Sequence, residues 1–280
     1  MSRKRERLDR LMVERGLVDS RSRAQALIRA GDVRVAGQPF DKPGMPVARD
    51  ATIELREAAT YVGRGGIKLA AALDAFGVDP TGANCLDVGA STGGFTDCLL
   101  QHGARRVYAV DVGRAQLAWS LRQDSRVVNL ERQDIRSLGA LDAPIHLAVV
   151  DVAFISLTLV LPHVAPLLEA SARVIALVKP QFEAGRDRVG RGGVVRDPQV
   201  HADVLARTLL WAERRGWRTL DAIASPVEGA RGNREFLVLL AAPKPAIPGG
   251  ASTENAEDAT ISERVAAILA ALGFASEPST

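Results

Sequence analysis

Four residues of this chain could together remove a proton from a weakly acidic hydroxyl group. They are Lys68, Asp151, Lys179 and Glu235. Asp151 and Lys179 end two consecutive predicted strands, Glu235 opens the last one, and the lysine in GRGGIKLAAAL precedes the first. A lysine can accept the proton or stabilise the developing oxyanion, while a carboxylate orients each lysine and limits the repulsion between them. Their order and placement favour such a site over an ordinary helix-face lysine and a plain turn at Lys179-Pro180.

A glycine-rich loop follows the first predicted strand, in LDVGASTGGFTDCLL. A strand that runs into glycines and then into a helix brings backbone N–H groups close to a ligand. The spacing lacks the lysine of a phosphate-binding loop and is not a clean GxGxxG, so nucleotide hydrolysis loses its main support. Asp111 closes the next strand, 24 residues after Asp87, where a carboxylate can accept both hydroxyls of an adenosine ribose. A purely structural glycine turn is the alternative.

In this arrangement the sequence resembles the Rossmann-like methyltransferases that use S-adenosylmethionine. The resemblance implies that the loop at 89–94 holds the methionine part of the cofactor and that Asp134 contacts the adenine, although Asp134 could also cap the segment after it. The candidate cofactor-binding residues are Asp87, Gly89, Ala90, Ser91, Thr92, Gly93, Gly94, Phe95, Asp111, Val112 and Asp134. No metal is expected.

The residues at the strand ends narrow the group that receives the methyl. Methylation of base amino groups usually involves an Asn-Pro-Pro-aromatic loop, but this chain has DVAF at 151–154. Methylation of pyrimidine carbon needs a cysteine nucleophile, and neither Cys85 nor Cys98 ends a predicted strand. The four polar residues resemble the Lys-Asp-Lys-Glu tetrad of FtsJ-like ribose methyltransferases. This implies transfer to a 2′-hydroxyl, with Lys179 as general base and Lys68 supporting the oxygen.

Composition limits the classes of protein that the chain can belong to. Its 280 residues are 47% hydrophobic and 25% charged, and no apolar run approaches the roughly 18 residues that a membrane span requires. The N-terminus MSRKRERLDR has no secretory signal, which predicts a cytoplasmic protein. Cys85 and Cys98 lie in apolar runs, so buried free thiols are favoured over a disulfide or metal pair. The expected oligomeric state is a monomer or a weak dimer.

Residues 1–57 form a separate basic segment with 13 Lys and Arg against 9 Asp and Glu, whereas the other residues have 23 against 24. Apolar spacing predicts a helix over 8–17 that Gly16 ends and a second helix from Ser20 to Gly31. Strand-like alternation follows over 32–40, and 51–55 completes the unit.

This segment resembles, over residues 6–57, the small RNA-binding domain of the ribosomal protein S-four. The resemblance implies contacts with RNA phosphates that position the protein and carry little base information. A solvated helical face is the alternative explanation for the same arginines. The candidate RNA-binding residues are Arg7, Arg10, Arg21, Arg23, Arg29 and Arg34.

After a linker at 58–63, strand-like and helix-like segments alternate, which predicts an α/β domain at 64–242 with a seven-stranded, mostly parallel sheet. Six strands can be placed, at 84–89, 106–113, 127–134, 146–154, 173–180 and 234–241. Residues 243–280 are expected to be a flexible tail with a short helix at 261–272. The loop at 183–198 has four arginines and is interpreted as a mobile lid that faces RNA, or as a plain solvated loop.

The combination of both domains with YVGRGGIKL, VVDVAF, LVKPQFE and GNREFL resembles the TlyA family over residues 6–241. The resemblance implies 2′-O-methylation of cytidine in ribosomal RNA, on the large subunit and on the small subunit as a further candidate. It also implies coupling of RNA docking to cofactor binding through the linker, although AATY at 58–61 lacks an Arg-Ala-Trp pattern. The alternatives are a hemolysin-like membrane-active protein, a non-catalytic RNA- or ribosome-binding protein, and a pseudouridine synthase. The glycine loop and Asp111 argue against the last.

Overall fold

The structure is a computed structural model that describes residues 5–30, 32–55, 60–243 and 254–274. The chain divides into two compact units, Met1–Thr60 and Tyr61–Thr280, which we call the N-terminal and C-terminal units. The division falls inside the segment predicted as a linker, of which Ala58 and Ala59 lie outside the described residues. Among the residues described, no helix is long and apolar enough to cross a membrane.

The N-terminal unit contains two helices and two small antiparallel sheets. The helices are α1 (Leu8–Glu14) and α2 (Arg21–Ala30), and the strands are β1 (Arg5–Arg7), β2 (Val33–Val35), β3 (Gln38–Pro39), β4 (Pro46–Ala48) and β5 (Ile53–Leu55). Strand β1 pairs with β4, and β2 lies between β3 and β5. Apolar residues at helical and strand spacing form one core, which includes Leu8, Met12, Ile28 and Val33.

Glycine ends the first helix as the sequence predicts. Gly16 has a φ of +67°, a conformation that favours glycine, and the N–H of Leu17 returns to the carbonyl of Met12. The helix itself is shorter than expected and ends at Glu14. Gly31, the expected end of the second helix, lies outside the described residues.

The C-terminal unit is a three-layer α/β domain. Its strands are β6 (Asn84–Val88), β7 (Arg106–Asp111), β8 (Val127–Glu131), β9 (Ile145–Val150), β10 (Leu168–Val178), β11 (Arg218–Ala224) and β12 (Phe236–Ala241). Its helices are α3 (Gly65–Phe76), α4 (Gly94–Gln101), α5 (Trp119–Arg122), α6 (Leu157–Val164), α7 (Pro180–Glu183), α8 (Pro198–Arg214) and α9 (Glu254–Ala271).

The seven strands form one sheet in the order β11-β12-β10-β9-β6-β7-β8. Pairing is parallel from β10 through β8, and β12 runs antiparallel to both of its neighbours, β10 and β11. The strand order reverses between β6 and β9, and in such sheets ligands bind beyond the carboxyl ends of the strands at this reversal. Apolar side chains of α3, α4 and α5 pack on one face of the sheet, and those of α6, α8 and α9 pack on the other.

Besides strand ends that lie a few residues before the predicted ones, the following elements of the C-terminal unit differ from the sequence-based expectation. Strand β11 was not placed by sequence, because RTLDAIA at the edge of the sheet alternates weakly between apolar and polar residues. Strand β10 begins at Leu168, five residues before the predicted start at 173. Helix α9 begins at Glu254, and the burial of Val265 and Phe274 in the C-terminal core shows that this part of the expected flexible tail is packed.

Candidate active site

The four predicted catalytic residues meet at one edge of the C-terminal sheet and form two ion pairs. Nζ of Lys68 lies 2.5 Å from Oε2 of Glu235, and Nζ of Lys179 lies 2.5 Å from Oδ1 of Asp151. Asp151 and Lys179 follow the carboxyl ends of β9 and β10. Glu235 precedes β12, whose antiparallel direction brings its first residue to the same edge. The structure therefore brings the four residues to one edge of the sheet, where Lys68 pairs with Glu235 and Lys179 pairs with Asp151.

The two ion pairs differ in their access to solvent. The side chains of Lys68 and Glu235 are 10% and 2% exposed, whereas those of Lys179 and Asp151 are 13% and 23% exposed. A buried carboxylate and a buried ammonium both lose hydration, and the ion pair between them offsets that cost. The Lys68–Glu235 pair is thus a fixed internal pair, and the Lys179–Asp151 pair has a route to solvent.

Helix α3 positions Lys68 because the segment before it packs closely on the glycine loop. The N–H of Val62 donates to Oδ2 of Asp97 at 2.8 Å. A Cβ at Gly66 would lie 2.2 Å from the Tyr61 ring, and a Cβ at Gly94 would lie 3.0 Å from the backbone nitrogen of Gly66. The approach at Gly66 requires glycine, and a side chain at Gly94 would push on the backbone of Gly66, so the motif fixes the start of α3.

Two residues that the sequence analysis missed contact Glu235. Nε2 of Gln181 lies 3.3 Å from Oε1 of Glu235. A Cβ at Gly229 would lie 2.0 Å from the same oxygen, so the backbone at this position approaches the carboxylate as only glycine allows. The glycine in PVEGARGNREF was the available signal, but its partner is set by tertiary folding.

Two aromatic rings lie beside the second ion pair. The rings of Phe154 and Phe182 are 5.0 Å apart between centroids, and Nζ of Lys179 lies 5.9 Å from the centroid of Phe182. Phe154 is 91% exposed and has a φ of +64°, which is strained for a bulky residue. This part of the site therefore combines an apolar wall with a lysine.

The tetrad lines a cavity of about 430 Å³ whose wall also includes the glycine loop from Gly89 to Thr92. A second cavity of about 760 Å³ extends along the ends of β6, β7 and β8 and is lined by Asp111, Val112, Asp134 and Ile135 among others. Gly89, Ser91, Asp151 and Phe154 belong to both walls. The two cavities therefore adjoin beyond the carboxyl ends of β6 and β9, where the strand order of the sheet reverses.

Asp111 fixes the glycine loop at the boundary of the second cavity. Its Oδ2 accepts from the N–H of Ser91 at 2.8 Å, and its Oδ1 accepts from the N–H of Gly113 at 2.6 Å. A Cβ at Gly89, which has a φ of +87°, would lie 2.4 Å from the carbonyl oxygen of Asp151. The Asp111 carboxylate therefore fixes the loop at two N–H groups, and the close approach of Gly89 to the Asp151 carbonyl leaves no room for a side chain there.

Not every predicted cofactor residue faces a cavity. Asp87 is fully buried beneath the glycine loop, where Oδ2 accepts from Oγ1 of Thr96 at 2.6 Å and Oδ1 has no protein partner. Burial raises the pKa of Asp87 to about 7. Gly93 faces Leu117 and Leu121. The direct cofactor contact predicted for Asp87 is thus not what its position indicates, since the side chain supports the loop from below.

Asp134 has the capping role that the sequence left open, and it also lines the second cavity. Its Oδ1 accepts from the N–H of Arg136 at 2.9 Å at the start of a short 3₁₀ helix. The Arg136 side chain lowers the pKa of the Asp134 carboxyl through its hydrogen bonds. The carboxylate is therefore ionised and exposed to the cavity at neutral pH.

The arginine-rich loop at 183–198 is anchored rather than free. Val195 is buried, and its N–H donates to Oδ1 of Asn233 at 3.1 Å. Nδ2 of Asn233 donates to the carbonyl of Gly193 at 3.0 Å, and Arg188 pairs with Asp203 at 2.6 Å. Asn233 thus ties residues 193–195 of the loop to the segment before β12, and a mobile lid facing RNA stays a prediction for the loop.

Both cysteines are free and buried, as the sequence predicts. Burial raises the pKa of Cys85 and of Cys98 to about 12, so neither thiol is a nucleophile at neutral pH. Cysteine-dependent chemistry at these positions is therefore excluded.

The predicted RNA-binding arginines lie on the N-terminal unit in two different settings. Arg7 and Arg21 both contact the buried carboxylate of Asp9. The remaining four are exposed on α1, α2 and β2, namely Arg10, Arg23, Arg29 and Arg34.

Comparison with known proteins identifies a family for each of the two units. Residues 61–242 match the FtsJ-like methyltransferase family, and residues 6–53 match the S4 domain. The chain is 48% identical over 244 residues to an rRNA methyltransferase, YqxC, of Bacillus subtilis, covering 86% of this chain and 87% of that one. It is 45% identical over 241 residues to the 16S/23S rRNA (cytidine-2′-O)-methyltransferase TlyA of Mycobacterium tuberculosis, covering 85% and 90%.

A solved structure of a protein described as a hemolysin, from Streptococcus thermophilus, matches with a TM-score of 0.66 at 39% identity, covering 95% of this chain and 96% of that one. The fold, the adjoining cavities and the paired lysines define a methyltransferase that uses S-adenosylmethionine. The chain belongs to the FtsJ-like methyltransferase family and, by its identity to the two relatives, to the TlyA family within it.

Proposed function

We propose that this protein transfers a methyl group from S-adenosylmethionine to the 2′-hydroxyl of a cytidine in ribosomal RNA of the large subunit, with the small subunit as a further candidate. The observation that carries the proposal is the junction of the two cavities at Asp151, because it brings a cofactor site and a pair of lysines to one point. The choice of cytidine rests on the relative from Mycobacterium tuberculosis. A ribosomal substrate supports a cytoplasmic location for the activity.

The residues of the second cavity fit the cofactor. The open glycine loop can hold its methionine part, and Asp111 stands where a carboxylate can accept ribose hydroxyls. Val112, Asp134 and Ile135 can enclose the adenine with apolar and acceptor groups. When bound, S-adenosylmethionine supplies an electrophilic methyl group on a sulfonium.

The two ion pairs suggest different tasks for the two lysines. The Lys68–Glu235 pair is almost fully buried and lines the first cavity, so Lys68 is held in place to stabilise negative charge on the ribose oxygen. The Lys179–Asp151 pair is more exposed and lies where the two cavities meet. We assign the base to Lys179: its ammonium first releases one proton to solvent by way of Asp151, and the free amine then takes the proton of the 2′-hydroxyl while Asp151 orients it.

The first test is methyl transfer by purified protein from radiolabelled S-adenosylmethionine to ribosomal subunits from cells lacking the gene. We expect incorporation at a cytidine whose 3′ linkage resists alkaline cleavage. Lys179→Ala should reduce the rate by about 10²- to 10⁴-fold, the usual contribution of a general base. Cofactor affinity, measured by calorimetry, should stay unchanged.

Lys179→Arg is the matched control for that variant, since arginine keeps the charge but does not release its proton. Recovery of activity in this variant would contradict the base role and assign Lys179 to electrostatic stabilisation. Binding of cofactor and subunits without any incorporation by the unaltered protein would show a binding protein instead of an enzyme.

Gly229→Ala tests the placement of Glu235. The added Cβ must displace a carboxylate 2.0 Å away, and a displacement near 1 Å typically costs about 100-fold in rate. Gly139→Ala is the control, because a Cβ there meets no atom within 4 Å. If Gly229→Ala is as active as Gly139→Ala and the unaltered protein, the position of Glu235 does not matter for catalysis.

A further inference from the structure

A buried carboxylate in the N-terminal unit binds two arginines at once. Asp9 has no exposed surface, and Arg7 donates to it through Nε at 3.0 Å and through a terminal nitrogen at 2.9 Å. Nε of Arg21 donates at 2.9 Å, and Nε2 of Gln25 donates at 2.8 Å. The Arg7 guanidinium holds the pKa of the Asp9 carboxyl well below its usual range. Asp9 is therefore a fixed negative charge beneath two cations.

The local fold accounts for this arrangement. Asp9 lies in the first turn of α1, and its N–H donates to the carbonyl of Pro43 at 3.1 Å. Arg21 and Gln25 are one helical turn apart on α2, so both reach the same carboxylate. A Cβ at Gly44 would lie 3.0 Å from a terminal nitrogen of Arg7, so Arg7 is confined between Gly44 and Asp9.

The two arginines of the cluster are still partly open to solvent. Their side chains are 42% and 47% exposed, and Glu6, the second carboxylate near Arg7, pairs with Arg49 at 3.9 Å. Each guanidinium has five N–H donors, and those that Asp9 does not use remain suited to oxygen atoms of an anion. Because the arginines are already ordered, an anion that binds them avoids much of the usual cost in side-chain entropy.

We propose that Asp9 is a positioning residue for RNA binding, which holds Arg7 and Arg21 as one preformed site for a backbone phosphate. This inference rests on the proposed function, since it assumes that the anion belongs to RNA. The four other candidate arginines do not contact Asp9 and would bind phosphates independently.

Asp9→Asn separates positioning from simple electrostatics because the two predict opposite results. Removing a negative charge should strengthen RNA binding if only net charge matters. If Asp9 positions the arginines, its loss should weaken binding of a large-subunit rRNA transcript by about tenfold and make the salt dependence shallower by about one phosphate contact. Affinity equal to or tighter than that of the unaltered protein, with the unit folded, would overturn the proposal.

Gln25→Leu is the matched control, since it removes one bond to Asp9 but no charge and neither arginine. We expect it to change RNA affinity by less than about twofold, and a change as large as that of Asp9→Asn would overturn the proposal. Folding of the unit can be followed by methyl NMR of the buried Met12. If Asp9→Asn fails to fold, Gly44→Ala decides, because its Cβ would lie 3.0 Å from a terminal nitrogen of Arg7 and shift that group by a few tenths of an ångström while Asp9 stays. It should weaken binding several-fold, and unchanged affinity would overturn the proposal.

Two further arms identify the anion and separate this inference from the proposed function. Inorganic phosphate should compete only weakly with the transcript. If the unaltered protein instead binds inorganic phosphate tightly and Asp9→Asn weakens that binding as much as it weakens binding of the transcript, the site is one for free phosphate and the proposal is overturned. In methyl transfer, Asp9→Asn should raise KM for RNA and leave kcat at saturating RNA unchanged. The binding arms need no turnover, so they test the arginine site even if the methyltransferase proposal fails.

Discussion

Two aspartates, one in each unit, are both fully buried and yet have pKa values shifted in opposite directions. Asp9 in the N-terminal unit accepts bonds from two arginines and a glutamine, and the first arginine holds its pKa well below the usual range. Asp87 in the C-terminal unit has one side-chain donor, the hydroxyl of Thr96, and burial raises its pKa to about 7. Both carboxylates are buried, so the difference in their hydrogen-bonding partners decides whether the pKa falls or rises.

The difference matches the expected roles of the two units. A carboxylate that stays ionised can hold cations in place for a polyanion. A carboxylate that is half protonated at pH 7 can lie beneath a loop without a compensating cation, since burial of the protonated form costs less. The same residue type therefore serves as an anchor for charge in one unit and as a hydrogen-bonding support in the other.

The largest expected effect comes from Asp87→Asn. Folding raises the pKa of Asp87 from 3.8 to about 7, so the folded unit binds the proton more tightly than the unfolded chain. The free energy of unfolding should then fall as pH rises from about 4 to about 7 and level off above. At pH 8 the variant should be more stable by up to a few kcal/mol, at about 1.4 kcal/mol per pKa unit.

Urea unfolding followed by tryptophan fluorescence measures this effect selectively, because Trp119, Trp211 and Trp217 all lie in the C-terminal unit. The variant should lose the pH dependence between 4 and 7. Equal pH profiles for the variant and the unaltered protein would show that Asp87 is not the titrating group.

The N-terminal unit should show the opposite dependence on pH. Folding lowers the pKa of Asp9, so its ion pairs contribute stability above the unfolded value near 4, and that contribution is lost as the pH falls further. We expect a loss of about 1.5–3 kcal/mol, typical of hydrogen bonds to charged groups. Methionine-methyl NMR follows this unit alone, since all three methionines precede residue 60. Asp9→Asn should lack the acid-dependent loss, and its persistence would point to another carboxylate.

Thr96→Val sharpens the contrast by removing the one side-chain donor to Asp87. Without that bond the ionised form loses its support, so the pKa of Asp87 should rise by about one unit above 7, equivalent to about 1.4 kcal/mol. The upper end of the pH-dependent range in unfolding should move by the same amount. Thr96→Ser keeps the hydroxyl and should behave like the unaltered protein, and a shift of similar size in both would rule out the hydrogen bond as the cause.

The smallest expected effect concerns the thiols near Asp87. Burial raises the pKa of Cys85 and Cys98 to about 12, and the charge of Asp87 adds to the rise at Cys85. Iodoacetamide at pH 8 should leave both unmodified in the folded protein and label both in urea, as mass spectrometry can show. Rapid labelling of folded protein would mean that the core beneath the glycine loop opens to solvent.

The sequence was sufficient for the order of the catalytic residues but not for their pairing. Asp151, Lys179 and Glu235 could be found because each borders a strongly apolar strand. That Lys68 pairs with Glu235 depends on β12 running antiparallel, which local periodicity does not encode. Gln181 escaped notice for the same reason, since its partner lies 54 residues away.

Fold elements at the edges were the least predictable. Strand β11 pairs with one neighbour and has Thr219 and Asp221 within it, so its pattern is weak. The polar first part of α9 resembles a solvated tail in composition, and only the contacts of Val265 and Phe274 with the core distinguish it. Asp87 was assigned to the cofactor because its place in the motif fits, whereas its depth beneath the loop is a property of packing.

The position of β12 between β10 and β11 has a consequence for the synthesis of the protein. The partners Lys68 and Glu235 are separated by 167 residues, so the lysine leaves the ribosome long before its carboxylate is made. The sheet can accept β12 only after β10 and β11 exist, and the arrival of β12 brings Glu235 to the site. A nascent chain therefore completes its catalytic tetrad in the same step that completes its sheet. A chain truncated before Glu235 lacks both the fourth catalytic residue and strand β12.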